Sequence, residues 1–177
     1  MGRMKRRDVV VFGFAAAGSA AAQKLACPSY FAAGLKERWK FSKDYSLAML
    51  AKMPDQYLSF RPVPEVWTFS QQLTHLADAN ILMSAPLRGE KPVYVGDPRQ
   101  LGRAELEKHL KDSYDVAAVG FDRLKSDADA EQMVQFFDDR IAKRDLCYRL
   151  LDHATHHRSQ ALVYLRLKGI VPPEYAG

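Results

Sequence analysis

Proline sets the layout of this chain, because a proline inside a helix removes a backbone donor and clashes with the preceding turn. None occurs from Tyr30 to Met53, a run of good helix formers in which Leu35, Trp39, Ser42, Leu47 and Leu50 roughly follow a helical stripe. A first helix is expected there, ending near Pro54-Asp55. From Leu58 to Trp67 two prolines, Pro62 and Pro64, stand at alternate positions and require an extended connection. Thr68-Phe69-Ser70-Gln71 then has the form of a capping box, Thr68 accepting from the new helix and Gln71 reaching back. A second helix follows through Leu73, His75, Leu76, Ala79 and Met83 until Pro86 and Gly89.

The stretch onward to Gly102 is rich in proline and glycine, has no apolar period, and reads as a surface loop. Arg103 to about Lys125 is a third helix, with Leu106, Leu110, Tyr114, Val119 and Leu124 among its apolar positions. After a polar turn, Met133-Val134-Gln135-Phe136-Phe137 reads as a strand-like packing segment. A fourth helix runs from about Lys143 to Lys168 and is stopped by Gly169 and the Pro172-Pro173 pair. Four long helices in 177 residues that are 47% hydrophobic predict an all-α fold, a four-helix bundle around one core.

The first 22 residues do not fit that bundle. They start basic (Met4-Lys5-Arg6-Arg7), continue apolar and small from Val9 to Ala17, and end in Gly18-Ser19-Ala20-Ala21-Ala22 before Gln23. This is the three-part layout of a signal peptide, with a small-residue cleavage site after Ala22. The apolar part is too short for a stable membrane span, which needs about 20 predominantly apolar residues. Arg6-Arg7-Asp8-Val9-Val10 also resembles a twin-arginine export signal, with Val in place of the usual Phe-Leu pair. The expected division is a signal peptide over residues 1–22 and a bundle domain over 23–177. Location is expected to be periplasmic or otherwise extracytoplasmic, or cytoplasmic if the leader is not cleaved.

The leader also explains the charge. Of the formal +5, it supplies +3 through Arg3, Lys5, Arg6 and Arg7 against Asp8, and the remainder carries no Lys/Arg block. No nucleic-acid partner is expected.

Two cysteines, Cys27 and Cys147, cannot build a cysteine-based zinc site; they could form one bridge in an oxidising compartment, or Cys147 is simply a buried apolar residue. Chemistry therefore points to histidine. The fourth helix has an apolar stripe of Leu146, Leu150, His153, His157, Gln160 or Ala161, and Tyr164, so two histidines stand where packing would place leucine. An imidazole buried without a partner costs roughly 1–3 kcal/mol per unsatisfied nitrogen, and a metal ion is one way to satisfy it. The i, i+4 spacing puts both rings one turn apart on one side. His75, in the middle of the second helix, would complete the three protein ligands of an open zinc or nickel site.

Asp78, one turn from His75, and Asp152, before His153, could orient a ligand imidazole, or are ordinary solvated carboxylates. His156 lies one residue off the ligand face and reads as a rim residue; His109, among Glu107, Lys108 and Lys111, reads as a solvated surface residue. The residue after His153 is Ala154, so the H-E-x-x-H of zincin proteases is absent, and no Glu-x-x-His pair of a ferritin-like di-iron bundle occurs.

Val66-Trp67-Thr68-Phe69 with Leu73-Thr74-His75-Leu76, and His153-Ala154-Thr155-His156-His157-Arg158-Ser159-Gln160 leading through Tyr164 to Pro172-Pro173, resemble the DinB/YfiT-like family over roughly residues 30–175. The resemblance implies an up-down-down-up connection of the bundle and a divalent metal on His75, His153 and His157. Ser159 stands where the family's H-R-G-Q version has glycine. It further implies a metal-dependent transferase of the thiol S-transferase type, or a hydrolase, acting on a small molecule; Arg158 and Gln160 flank the site and are candidates for substrate contact or packing. A homodimer is compatible with this reading. The leader pulls the other way, toward a hydrolase or a non-catalytic metal-binding or stress-related module of the cell envelope, where reduced thiols are scarce.

Overall fold

The computed structural model describes residues 29–175; the leader and Cys27 lie outside them. Four long helices form the bundle: α1 (Tyr30–Lys52), α2 (Phe69–Ser84), α3 (Arg103–Phe121) and α5 (Lys143–Leu167), with a short α4 (Asp127–Ala130) before the last. α2 packs between α3 and α5, and α1 closes the bundle against the same two helices. Among the described residues no helix is long and apolar enough to cross a membrane.

The direction of each helix follows from hydrogen bonds at its ends. Arg103, the first residue of α3, donates to the carbonyl of Leu50 and pairs with that of Met53, so α3 begins where α1 ends. Ser70 Oγ, at the start of α2, donates to Leu101 O at 2.8 Å, which places the starts of α2 and α3 together. Tyr164 Oη, near the end of α5, donates to Trp67 O at 2.9 Å, just before α2. Phe31 of α1 meets Tyr148 of α5 edge to face, so these two run the same way. The order is therefore up, down, down, up, and the run from Gly89 to Gly102 carries the chain back along the bundle so that α2 and α3 are parallel.

Local signals account for the helix boundaries. Thr68 is the N-cap of α2, with its side chain accepting from Gln71 N and Gln71 answering to Thr68 N, the reciprocal box expected. α5 ends where Gly169 takes φ +71°, with Gly169 N bonding Arg166 O and Ile170 N bonding Leu165 O. α3 ends at Phe121, four residues short of Lys125, because Ser126 starts a new capping box with Asp129 and the chain must turn to reach it.

The segment expected to be strand-like is the first half of a hairpin. β1 (Met133–Phe136) pairs antiparallel with β2 (Asp139–Ala142), Phe136 facing Asp139, and Phe137 in the two-residue loop has φ +52°. β2 was not expected, since a Phe-Asp loop carries no glycine or asparagine signal for such a turn.

The core holds Met49, Leu50, Phe69, Leu73, Leu110 and Leu146 with at most 1% exposure. At its centre Tyr114 is buried with its hydroxyl 2.9 Å from both Ser42 Oγ and Ser46 Oγ, and Trp39 Nε1 donates to Tyr114 O at 2.9 Å. Cys147 is buried, and burial pushes its thiol up to about 12, in keeping with an inert core residue.

Candidate metal centre

The apolar stripe of α5 begins with Leu146 and Leu150 in the core and continues into His153 and His157 against α2. The Thr68 cap fixes where α2 starts, and two turns later His75 faces those two rings. Ring centres are 5.1 Å apart for His75 and His153, 4.5 Å for His75 and His157, and 4.5 Å for His153 and His157. One nitrogen from each lies within 4.8 Å of the others, and the three could hold one metal ion. His157 is buried, whereas His75 and His153 are half-buried, so the cluster borders solvent on one side. Trp67 forms a wall, its ring 4.5 Å from that of His75 and 5.9 Å from that of His157.

Burial, reinforced by the neighbouring imidazoles, lowers His157 to about 3 and His153 to about 4; His75 is lowered too, chiefly by burial and against an opposing pull from Asp78. All three are thus uncharged at neutral pH, the state that ligates metal. His153 Nδ1 is buried without a hydrogen-bond partner. A donor set of three neutral imidazoles, one of them with a ring nitrogen left unsatisfied, fits a borderline divalent ion such as zinc or nickel.

A glutamine orients one of the three imidazoles. His157 Nδ1 donates to Gln72 Oε1 at 2.8 Å, Gln72 Nε2 donates to Gln160 Oε1 at 2.7 Å, and Gln160 Nε2 donates to His156 Nε2 at 2.6 Å. Each amide uses its oxygen in one direction and its nitrogen in the other, so the proton of His157 sits on Nδ1 and Nε2 keeps its lone pair.

Neither carboxylate considered from the sequence takes that role. Asp78 Oδ1 is 2.7 Å from His109 Nε2, a half-buried pair between α2 and α3, so His109 is not the solvated residue it resembled. Asp152 is exposed and lines the α1 side of α5. His156 is an exposed rim residue as expected, and Gln160 serves the relay. Arg158 turns away from the cluster toward Ser42 of α1. Gln72 was missed; its one sequence signal is its place three residues before His75, on the same helical face.

A family model described as DinB superfamily matches residues 38–161. Among solved structures, a DinB-like protein of Bacillus cereus ATCC 10987 is similar with a TM-score of 0.65 at 20% identity, over 81% of this chain and 96% of that one. A DinB-like protein of Bacillus subtilis, YjoA, is similar with a TM-score of 0.67 at 12% identity, over 80% and 96%. No curated protein matches.

Proposed function

Starting from the chain's membership of the DinB superfamily, we propose that it holds one divalent transition metal, zinc or nickel, on His75, His153 and His157 and works as a metal-dependent transferase of thiol type. The observation that carries this reading is three uncharged imidazoles, each offering a nitrogen within 4.8 Å of the others, in a cluster where His153 keeps a buried ring nitrogen without a hydrogen-bond partner. When bound, such an ion supplies Lewis acidity at its remaining position, lowering the pKa of a thiol or a water.

The chain's own residues do the rest. Gln72 holds His157 in one tautomer, and Trp67 shields one side of the cluster from water. Low ring pKa values leave nitrogens free without first releasing protons. Among the described residues no carboxylate hydrogen-bonds a cluster imidazole, and Asp78 is engaged by His109. A site in which no carboxylate serves the cluster suits a nucleophile that ionises easily, and a thiol at about 8.5 does so far more readily than water.

A second reading, a hydrolase or a metal-binding module of the cell envelope, is favoured by the leader, since export would place the site where small thiols are scarce. Sequencing the N-terminus of the protein from fractionated cells separates the two: a start at Gln23 outside the cytoplasm supports the second, an intact leader in the cytoplasm the first. Metal analysis of protein purified without an affinity tag tests both. About one zinc or nickel per chain is expected, lost in His157→Ala; equal metal in parent and variant, or none in the parent, overturns the proposal.

A further inference from the structure

Two arginines are buried among the described residues, Arg88 at 8% exposure and Arg158 at 6%. Arg88 holds the carboxylate of Glu90 at 2.7 Å. Arg158 has no carboxylate at ion-pair distance. It donates to Ser42 Oγ at 2.6 Å and Thr155 Oγ1 at 3.3 Å, and its guanidinium carbon lies 5.5 Å from the centre of the Tyr45 ring. A buried cation served only by hydroxyls and a ring face is left without the directly paired counter-charge that burial favours. A guanidinium has five N–H donors, and two hydroxyl contacts leave several of them free.

Arg158 lines a cavity of about 650 Å³ between α1 and α5, with Tyr175 also in its lining. Phe41 and Leu151 give it an apolar wall, and Phe41 meets Tyr175 edge to face at 5.3 Å. Glu37 and Asp152 stand in its lining as exposed carboxylates, with the exposed Arg38 beside them. Two such acids oppose a doubly charged phosphate more than a single negative charge, and the fork of a guanidinium matches a planar carboxylate. His153 and His157 face α2 from the other flank of α5, so this cavity is separate from the metal centre.

We propose that the α1–α5 cavity binds a small organic carboxylate, its head group on Arg158 and its apolar body against Phe41 and Tyr175. The proposal does not depend on the metal reading.

The test is titration of the full chain with acetate, benzoate and 3-phenylpropionate, each against its neutral amide, followed by calorimetry. Saturable binding of a carboxylate, at least about tenfold tighter than its amide, is expected in the parent and equally in parent protein stripped of metal by a chelator and then dialysed. Arg158→Lys keeps the charge and loses the fork, and should weaken binding by about tenfold or more. Gly34→Leu guards against a folding defect. Gly34 lines the cavity from an exposed helical position with nothing within 4 Å of an added Cβ, so the variant should fold normally while filling the pocket. Carboxylate and amide binding alike, absence of saturable binding by all three acids, undiminished binding in both Arg158→Lys and Gly34→Leu, or loss of binding on removal of metal would each overturn the proposal, the last by placing the carboxylate on the metal centre.

Discussion

Gln72 Oε1 accepts the Nδ1 proton of His157 at 2.8 Å, and this single bond decides which nitrogen of the most buried cluster histidine is left to bind. Substitutions of a group that orients a metal-bound imidazole typically cost about 10–100-fold in metal affinity. Gln72→Leu should therefore weaken zinc binding by that order, measured by competition with a chromophoric chelator. Gln72→Glu, which still accepts the same proton, should stay closer to the parent. Equal affinity for Gln72→Leu and parent would show that the relay through Gln160 plays no part in holding the ligand.

The depressed histidines make the metal-free protein acid-sensitive above the range of ordinary carboxylates. In the unfolded chain each imidazole protonates near 6.5, whereas in the folded chain His153 waits until about 4 and His157 until about 3. Between these limits the unfolded state binds more protons, so stability is complete above 6.5 and falls as pH falls toward 4. Each group contributes up to ~1.4 kcal/mol per pH unit in that window. Thermal melts of chelator-treated protein from pH 7.5 to 4.5 should show Tm dropping below pH 6.5, and the drop should shrink in His153→Phe. A flat profile across the window contradicts the burial of uncharged imidazoles.

The legible parts of this molecule are those written in neighbouring residues. Thr68 and Gln71 announce a cap because both partners lie within one turn, and His153 and His157 announce a shared face because the helix repeat puts them there. Gln72 carries no comparable signal: glutamine is ordinary on a helix, and its meaning depends on the register between α2 and α5, which no local pattern encodes. The pairing of Asp78 with His109 is hidden for the same reason, being set by how α2 lies on α3. β2 escaped because Asp139-Arg140-Ile141-Ala142 has one buried side chain and its turn places a phenylalanine in a left-handed conformation that glycine or asparagine usually marks.

One close approach limits what α3 can carry. A Cβ added at Gly120 would lie 2.8 Å from Leu87 Cβ, in the 3-10 turn that follows α2. Alanine gains about 1 kcal/mol over glycine in helix propensity, but overpacking costs typically ~1–3 kcal/mol, and the contact falls on a side chain's first carbon, which has little freedom to move aside. Gly120→Ala should lower Tm by roughly 2–6 °C despite the better helix former. A Tm at or above that of the parent would show that α3 and this turn can separate without penalty.

The cap of α2 links the stability of a helix to the shape of the centre. Thr68 Oγ1 accepts from Gln71 N at 3.1 Å and also meets Gln100 of the crossover segment, while Trp67, one residue earlier, is pinned through its carbonyl to Tyr164 Oη at 2.9 Å and lays its ring against His75. Thr68→Ala removes the acceptor and should cost about 1 kcal/mol, seen as a lower urea midpoint with an unchanged slope. Thr68→Ser retains the hydroxyl and should lie within a few tenths of a kcal/mol of the parent. Because the Tyr164 bond survives in both, Trp67 should keep its place, and metal affinity in Thr68→Ala should fall by less than about tenfold. A larger loss of metal than of stability would mean that the cap itself, rather than the Tyr164 anchor, holds the tryptophan wall against the cluster.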